Sequence, residues 1–280
     1  MILVTGATGN VGAELVRTLS EAGEQVRALV RDPAKAALVP GAEAVTGDLN
    51  RPKTLADALD GVDGMFLLPG YDDLPDLLDR AHKAGVRRVV LLSGGSAALR
   101  DMDNAVSRYM ALSEDAVRAS ELTWTLLRPR QFMSNALRWL PQLASGDVVR
   151  VQFPGIRAGV IDPADIAAAA AAALIRDGLE GQALELTGPQ ALRPAEQVAV
   201  LGAVLNRPLV ARELDDEETE AELAATMPRE YVDAFLSFFV GGTLDEETLY
   251  PTVEQVTGRS PRTFEQWATA HAEEFATAPS

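Results

Sequence analysis

Short apolar runs alternate with amphipathic stretches through the first half of the chain. Ile2–Thr5, Gln25–Val30, Ala42–Val45, Gly64–Leu68, Val86–Leu92 and Thr123–Leu127 read as strands, most of them apolar on both faces. Helical spacing predicts Val11–Glu21, where Val11, Leu15 and Leu19 share a face and Gly23 ends the helix. Further helices fit at Pro33–Leu38, Lys53–Leu59, Leu74–Ala84 and Ala105–Ser120. Double-sided strands alternating with helices predict an α/β fold, a doubly wound parallel sheet covered on both faces.

The pattern loosens after Arg128-Pro129. Phe132–Leu143 reads as a helix, Gly159–Ile161 as a short strand, and Asp162-Pro163 as a helix start. The Ala-rich run Ile166–Ile175 predicts a helix pressed against a flat surface, either inside one chain or across a dimer. Ala183–Leu186 reads as another strand. Beyond Gly188-Pro189 the chain turns helical, with Pro194–Leu205, Asp216–Ala225, Pro228–Phe239, Thr252–Val256 and Thr263–Phe275. The expected organisation is a core of residues 1–130, joined by 156–186 returning to the sheet. A smaller, mostly helical lobe of residues 131–155 and 187–280 would hold the substrate.

Composition narrows the function classes. Apolar residues at 47% and charged residues at 24% exclude a disordered, collagen-like or coiled-coil chain. The net charge of −16 argues against nucleic acid and anionic membranes as partners, since phosphate binding needs clustered cations. Most of the acidity lies in residues 187–280, with 17 acids against 6 bases, and reads as a solubilising surface. Cysteine is absent, which excludes disulfides and thiolate chemistry. No apolar stretch approaches the ~20 residues of a membrane span. The start of the chain lacks a basic export signal, so a cytoplasmic protein is expected.

The first strand runs into Thr5-Gly6-Ala7-Thr8-Gly9-Asn10-Val11-Gly12 and then a helix. Gly6 permits a tight turn, Gly9 lets backbone approach a pyrophosphate, and Gly12 lets the helix pack close to the strand. Thr8, Asn10 and Val11 complete the expected phosphate-binding turn of a Rossmann-like fold, at a helix N-terminus. The second strand ends in Arg31, with Lys35 a helical turn further on, where an acid would instead hold a ribose hydroxyl. Two cations there favour the 2′-phosphate of NADP(H) over NAD(H), unless Arg31 is paired with Asp32. Asp48 and Leu49 should border the adenine. Leu67, Leu68 and Pro69 should run along the middle of the cofactor, Leu67 being equally readable as plain core.

The spacing TGATGNVG resembles extended and atypical short-chain dehydrogenases/reductases. Ala28-Leu-Val-Arg31-Asp-Pro-Ala-Lys35, Gly47-Asp48-Leu49, Leu91-Leu-Ser93, Thr125-Leu-Leu-Arg128-Pro129 with Phe132-Met-Ser-Asn135, Asp162-Pro-Ala-Asp165-Ile-Ala and Leu186-Thr-Gly-Pro189 follow in order. Together they are similar to the NmrA-like group, which includes NAD(P)H-binding quinone reductases and redox-sensing regulators. The resemblance covers nearly the whole chain, to Thr263-Phe-Glu-Gln-Trp267, and implies NADP(H) as cofactor.

Many short-chain reductases use Ser…Tyr-x-x-x-Lys, in which Tyr gives the proton, Lys lowers its pKa and Ser polarises the carbonyl. Here Ser93 and Ser96 follow the fifth strand and Tyr109 lies in the next helix, but Ser113 stands where Lys would. No lysine occurs after Lys83. Ser93 remains a candidate for cofactor and carbonyl contact. Tyr109 is a candidate proton donor, with a wall or packing role preferred. Quinones demand less proton assistance than simple ketones, because the oxyanion produced is delocalised, and NmrA-like quinone reductases also lack the full triad.

Tyr71, Tyr109, Phe132, Met133 and Trp139 are the candidate substrate wall, with Phe153 and Phe235, Phe238 and Phe239 behind them. The Phe235–Phe239 group is read first as lobe core. Arg130 would contact an anionic or phenolic substrate or else lie exposed. Asn135 would orient a ligand or cap a turn. His82 and His271 read as surface residues without a metal-ligand pattern, and Asp72-Asp73 and Asp215–Glu218 as solvated helix starts. The expected function is an NADPH-dependent oxidoreductase acting, as a monomer or homodimer, on a quinone or similar planar conjugated carbonyl. The alternatives are a non-catalytic NADP(H) redox sensor and a tailoring enzyme of an aromatic natural product.

Overall fold

The computed structural model describes residues 1–32 and 38–276. The expected helix Pro33–Leu38 falls almost wholly outside them, and so does Lys35. In chain order the first elements are β1 (Ile2–Val4), α1 (Asn10–Glu21), β2 (Val26–Val30), β3 (Glu43–Thr46), α2 (Ala56–Leu59), β4 (Gly64–Leu67), α3 (Leu74–Lys83), β5 (Arg88–Leu92), α4 (Ala105–Ala119) and β6 (Thr123–Pro129). Then come α5 (Leu140–Ser145), β7 (Val148–Val151), β8 (Ala158–Gly159), α6 (Pro163–Ile175), β9 (Gln182–Leu186), β10 (Ala191–Leu192), α7 (Pro194–Leu205) and β11 (Val210–Glu213). Five helices finish the chain: α8 (Asp216–Ala224), α9 (Arg229–Phe239), α10 (Thr252–Thr257), α11 (Phe264–Ala270) and α12 (Ala272–Ala276).

Seven strands form one parallel sheet in the order β3-β2-β1-β4-β5-β6-β9. Strand order reverses beside β1, so the carboxyl ends of β1 and β4 flank the crevice where doubly wound folds bind ligands. Successive residues face opposite sides. Ile2, Val4, Phe66 and Val90 join one core with α1 and α6, while Leu3, Met65, Leu67, Val89 and Leu91 join another with α3 and α4. The Ala-rich helix α6 packs inside the chain, with Ala167, Ala169 and Ala170 fully buried against α1 and the sheet. Small side chains allow that close approach, and a dimer is not needed to cover them.

A third core lies in the lobe. Val149, Val151, Leu201, Phe264 and Trp267 pack there with Met133 and Leu143. The expected helix Phe132–Leu143 is instead a 3-10 helix, Met133–Trp139, followed by α5. Pro141 has no amide hydrogen and cannot continue a helix through that point. The expected strand Gly159–Ile161 shortens to β8, which pairs antiparallel with β10, while Ile161 bridges Phe132 alone. The expected helix Thr263–Phe275 breaks at His271 into α11 and α12. β7 and β11, which pair in parallel, were not foreseen.

Two contacts fasten the lobe. Asp162 and Asp165, buried at the start of α6, form ion pairs with Arg262 at 3.0 Å and Arg259 at 2.7 Å. Residues 241–251 cross the carboxyl ends of β6 and β9: Gly159 N donates to the Glu246 carbonyl (2.7 Å), Gln131 N to the Glu246 carboxylate (3.2 Å), and Tyr250 N to Thr187 Oγ1 (2.9 Å). Among the described residues no helix is long and apolar enough to cross a membrane, and no group of His, Cys, Asp or Glu could hold a metal ion.

Candidate cofactor cleft

Gly6 turns the chain out of β1 with φ +61°, a conformation L side chains rarely adopt, and Gly9 N donates to its carbonyl (2.9 Å). A Cβ on Gly12 would stand 2.1 Å from that same carbonyl oxygen, so only glycine lets α1 start this close to the turn. No side chain caps α1 and no acid sits in its first turn. Its N-terminal amides and dipole are therefore presented to an anion. Thr8, Gly9 and Asn10 are exposed around this cradle, while Val11 and Gly12 are buried beneath it. Asn10 Nδ2 donates to Ser134 Oγ (3.0 Å), tying the turn to the segment that leaves β6. The cradle fits a dinucleotide pyrophosphate.

Arg31 is exposed at the carboxyl end of β2 and forms no ion pair among the described residues, so the expected alternative of an Arg31–Asp32 pair does not hold. Asp48 is exposed and caps Asn50 N (3.0 Å), and Leu49 beside it is buried. Leu67 is fully buried in the α3-side core and is not available to line the cleft. Leu68 and Pro69 are half-buried, and Leu68 packs where a Gly6 side chain would be. Its amide donates to Thr5 Oγ1 (3.2 Å), joining the ends of β1 and β4.

The position four residues after Tyr109 has a structural task. Ser113 Oγ donates to the Tyr109 carbonyl (2.8 Å) and accepts from Gly70 N (3.1 Å), fixing the turn after β4. The Tyr109 ring stands over Gly70, half-buried. Burial, and then the neighbouring Tyr231, push its phenol above the ordinary value, so it stays protonated but is a reluctant donor. Tyr71, on the other side of Gly70, is also raised by burial, with a hydrogen bond to Thr5 opposing.

Ser93 differs from its expected role. It is buried, and its hydroxyl donates to Glu114 Oε1 (2.7 Å), so its proton is directed away from a carbonyl acceptor. Arg128 donates to both oxygens of Glu114 (2.8 and 2.6 Å). Burial works to raise the Glu114 carboxyl, but Arg128 and Ser93 outweigh it and hold it below its ordinary value. Arg130 does not lie exposed. It is buried, donates to Glu185 Oε2 (2.6 Å) and lies 5.4 Å from the centre of the Tyr250 ring. Facing it, Glu246 is pushed up to about 7 by burial, against the opposing pull of Arg130. Glu246 had no signal in the sequence, where it is the middle of three adjacent acids.

Past β6, Phe132 is half-buried against the α1-side core, and Met133 is fully buried in the lobe core, which removes it from the expected wall. Trp139 packs mainly on the lobe core. The Asn135 carbonyl accepts from Arg138 Nε (3.2 Å). Phe238 is core, while Phe153, Phe235 and Phe239 are half-buried, with the Phe153 and Phe239 rings 4.8 Å apart. His82 is exposed, but His271 is half-buried against Trp267 at 4.8 Å, so only one of the two is a plain surface residue. Asp73 and Asp215 cap α3 and α8.

Residues 6–177 match the NAD(P)H-binding family. The chain is 41% identical over 281 residues to (4-alkanoyl-5-oxo-2,5-dihydrofuran-3-yl)methyl phosphate reductase of Streptomyces griseus, covering 99% of each protein. It is 37% identical over 296 residues to NAD(P)H azoreductase of Xenophilus azovorans, covering 99% of this chain and 100% of that one. The solved structure of Escherichia coli NADPH-dependent quinone oxidoreductase QOR2, complexed with NADPH, shares the fold. Its TM-score is 0.78 at 23% identity, over 96% of this chain and 99% of that one. These matches bear out the expected NAD(P)H-binding reductase: the chain belongs to the NAD(P)H-binding family, and the solved structure shows the same fold.

Proposed function

Because the chain belongs to the NAD(P)H-binding family and is an NAD(P)H-dependent oxidoreductase, we propose that its acceptor is a quinone or a similar planar conjugated carbonyl, with NADPH as donor. One observation carries this reading: among the described residues, none of the expected catalytic positions offers an activated proton donor. Ser113 occupies the lysine position and is bonded to backbone, Ser93 is bonded to Glu114, and burial raises the Tyr109 phenol. A conjugated acceptor spreads the incoming charge and tolerates that lack, whereas an isolated ketone does not. Two of the relatives are named for conjugated acceptors. The Streptomyces griseus enzyme takes a ring alkene conjugated with carbonyls and bearing a phosphate, and the Xenophilus azovorans enzyme is an azoreductase.

Bound NADPH supplies the hydride. Gly6, Thr8, Gly9, Asn10, Val11 and Gly12 hold its pyrophosphate, and Arg31 with Lys35 hold the 2′-phosphate. Support for the second assignment is the exposed guanidinium at the end of β2, which forms no ion pair among the described residues. Asp48 and Leu49 border the adenine, and Leu68 and Pro69 run beside the cofactor's middle. Tyr71, Tyr109, Phe132 and Asn135, with the lobe of residues 131–155 and 187–280, orient the acceptor and exclude water by proximity and packing. A reductase drawing on NADPH belongs in the cytoplasm, and the residues named all come from one chain.

NADPH oxidation across a panel of quinones and conjugated ketones, with NADH alongside, tests the reading. Turnover of one acceptor class with NADPH preferred supports it. Arg31→Ala should weaken NADPH binding about 10- to 100-fold, the worth of one or two charge-assisted hydrogen bonds, and leave NADH within twofold. Protein that binds NADPH yet turns over nothing would overturn the enzyme reading in favour of a redox sensor.

A further inference from the structure

We infer that Arg138 is the anion-recognising residue of the substrate cleft, receiving an oxyanion (phosphate, carboxylate or sulfonate) carried by the acceptor at a distance from its conjugated ring. The inference rests on the proposed reading of the cleft as a reductase site.

In a chain of net charge −16, arginines find acids easily. Arg17, Arg80, Arg100, Arg128 and Arg229 all have carboxylate partners that raise their pKa. Arg138 has none among the described residues, and its one hydrogen bond is Nε to the Asn135 carbonyl at 3.2 Å. Both Nη groups are left to donate elsewhere. Burial pushes this guanidinium below its ordinary value with no carboxylate to offset it, yet the residue is exposed.

The position of Arg138 is fixed by its neighbours. Arg138 lies on the 3-10 helix Met133–Trp139 that leaves the carboxyl end of β6. One end of that helix is tied to the glycine turn through Ser134 and Asn10, and its buried face, Met133, belongs to the lobe core. The segment therefore bridges the cofactor cradle and the lobe. Asn135 and Arg138 are three residues apart, one 3-10 turn, and share a face. The Asn135 side chain makes no hydrogen bond to another described residue. A carboxamide and a guanidinium one 3-10 turn apart, neither with a side-chain partner among the described residues, can supply donors to a planar or tetrahedral oxyanion. The cofactor's own phosphates are already served by the amides of α1 and by Arg31 on the far side of β1.

Equilibrium binding of phenyl phosphate and of phenol to the full chain saturated with NADP+ tests this without requiring turnover. The wild type should bind phenyl phosphate at least tenfold more tightly than phenol. Arg138→Gln should abolish that preference, and Arg138→Lys should keep part of it, while NADP+ affinity stays within twofold in both. Absence of the preference in the wild type, or its survival in Arg138→Gln, overturns the inference. So does a tenfold loss of NADP+ affinity in Arg138→Gln, which would assign the guanidinium to the cofactor. Failure of every quinone and ketone in the turnover panel would instead strike the reductase reading and leave this binding result standing.

Discussion

At Gly12 a single methyl group is too much, since it would meet the Gly6 carbonyl oxygen at 2.1 Å. Gly12→Ala must push α1 off the turn. It should destabilise the protein by about 1–3 kcal/mol, as overpacked sites do, and weaken NADPH binding, read by urea denaturation and cofactor titration. The pH dependence has its own residue. Glu246 titrates at about 7 in the folded chain against an ordinary 4.5. The folded state therefore holds this proton more tightly than the unfolded one. The stability this contributes is full below 4.5 and is lost as pH rises through 7. Glu246→Gln should thus be more stable than wild type at pH 8, by up to about 3 kcal/mol, with the gap closing near pH 4.5. The glycines were legible because their spacing is itself the motif. Glu246 was not, because Asp245, Glu246 and Glu247 look alike in sequence. Which one is buried is decided by Gly159 and Gln131, whose amides reach it from remote parts of the chain.

Among the elements, α6 shows how a helix without large side chains still serves a core. Ala170 is fully buried between α1 and the sheet. Ala170→Leu should cost about 1–3 kcal/mol in thermal or chemical denaturation and leave the oligomeric state unchanged, because the helix is covered within one chain. The sheet strands were read well because a strand buried on both faces is an uninterrupted apolar run. The segment after Phe132 was read poorly because its apolar spacing continues smoothly across Pro141, where the backbone cannot. β7 and β11 escaped because each is four residues long and exposes a valine, Val148 and Val210. Their pairing depends on a partner some sixty residues away, which no local pattern announces. At the site, Arg130 was misplaced for a related reason, since its partner Glu185 arrives only with β9.

For the whole molecule, a cofactor bound across the ends of several strands couples binding to global stability. NADPH at a hundred times its Kd should add about 2.7 kcal/mol. For a chain of this size that corresponds to a rise in Tm of roughly 5 °C, measurable by calorimetry with and without cofactor. The ion pairs at the start of α6 have a different reach. Asp162 and Asp165 enter the protein's interior with α6, but Arg259 and Arg262 belong to the last stretch of the sequence. A ribosome releases these residues in that order. While the chain is being made, the helix that covers the sheet carries two negative charges with no counter-charge, and dry burial of such groups is unfavourable. Until Arg259 and Arg262 are in place, laying α6 over the sheet is therefore less favourable, and a chain truncated before Arg259 should unfold more readily than the full one.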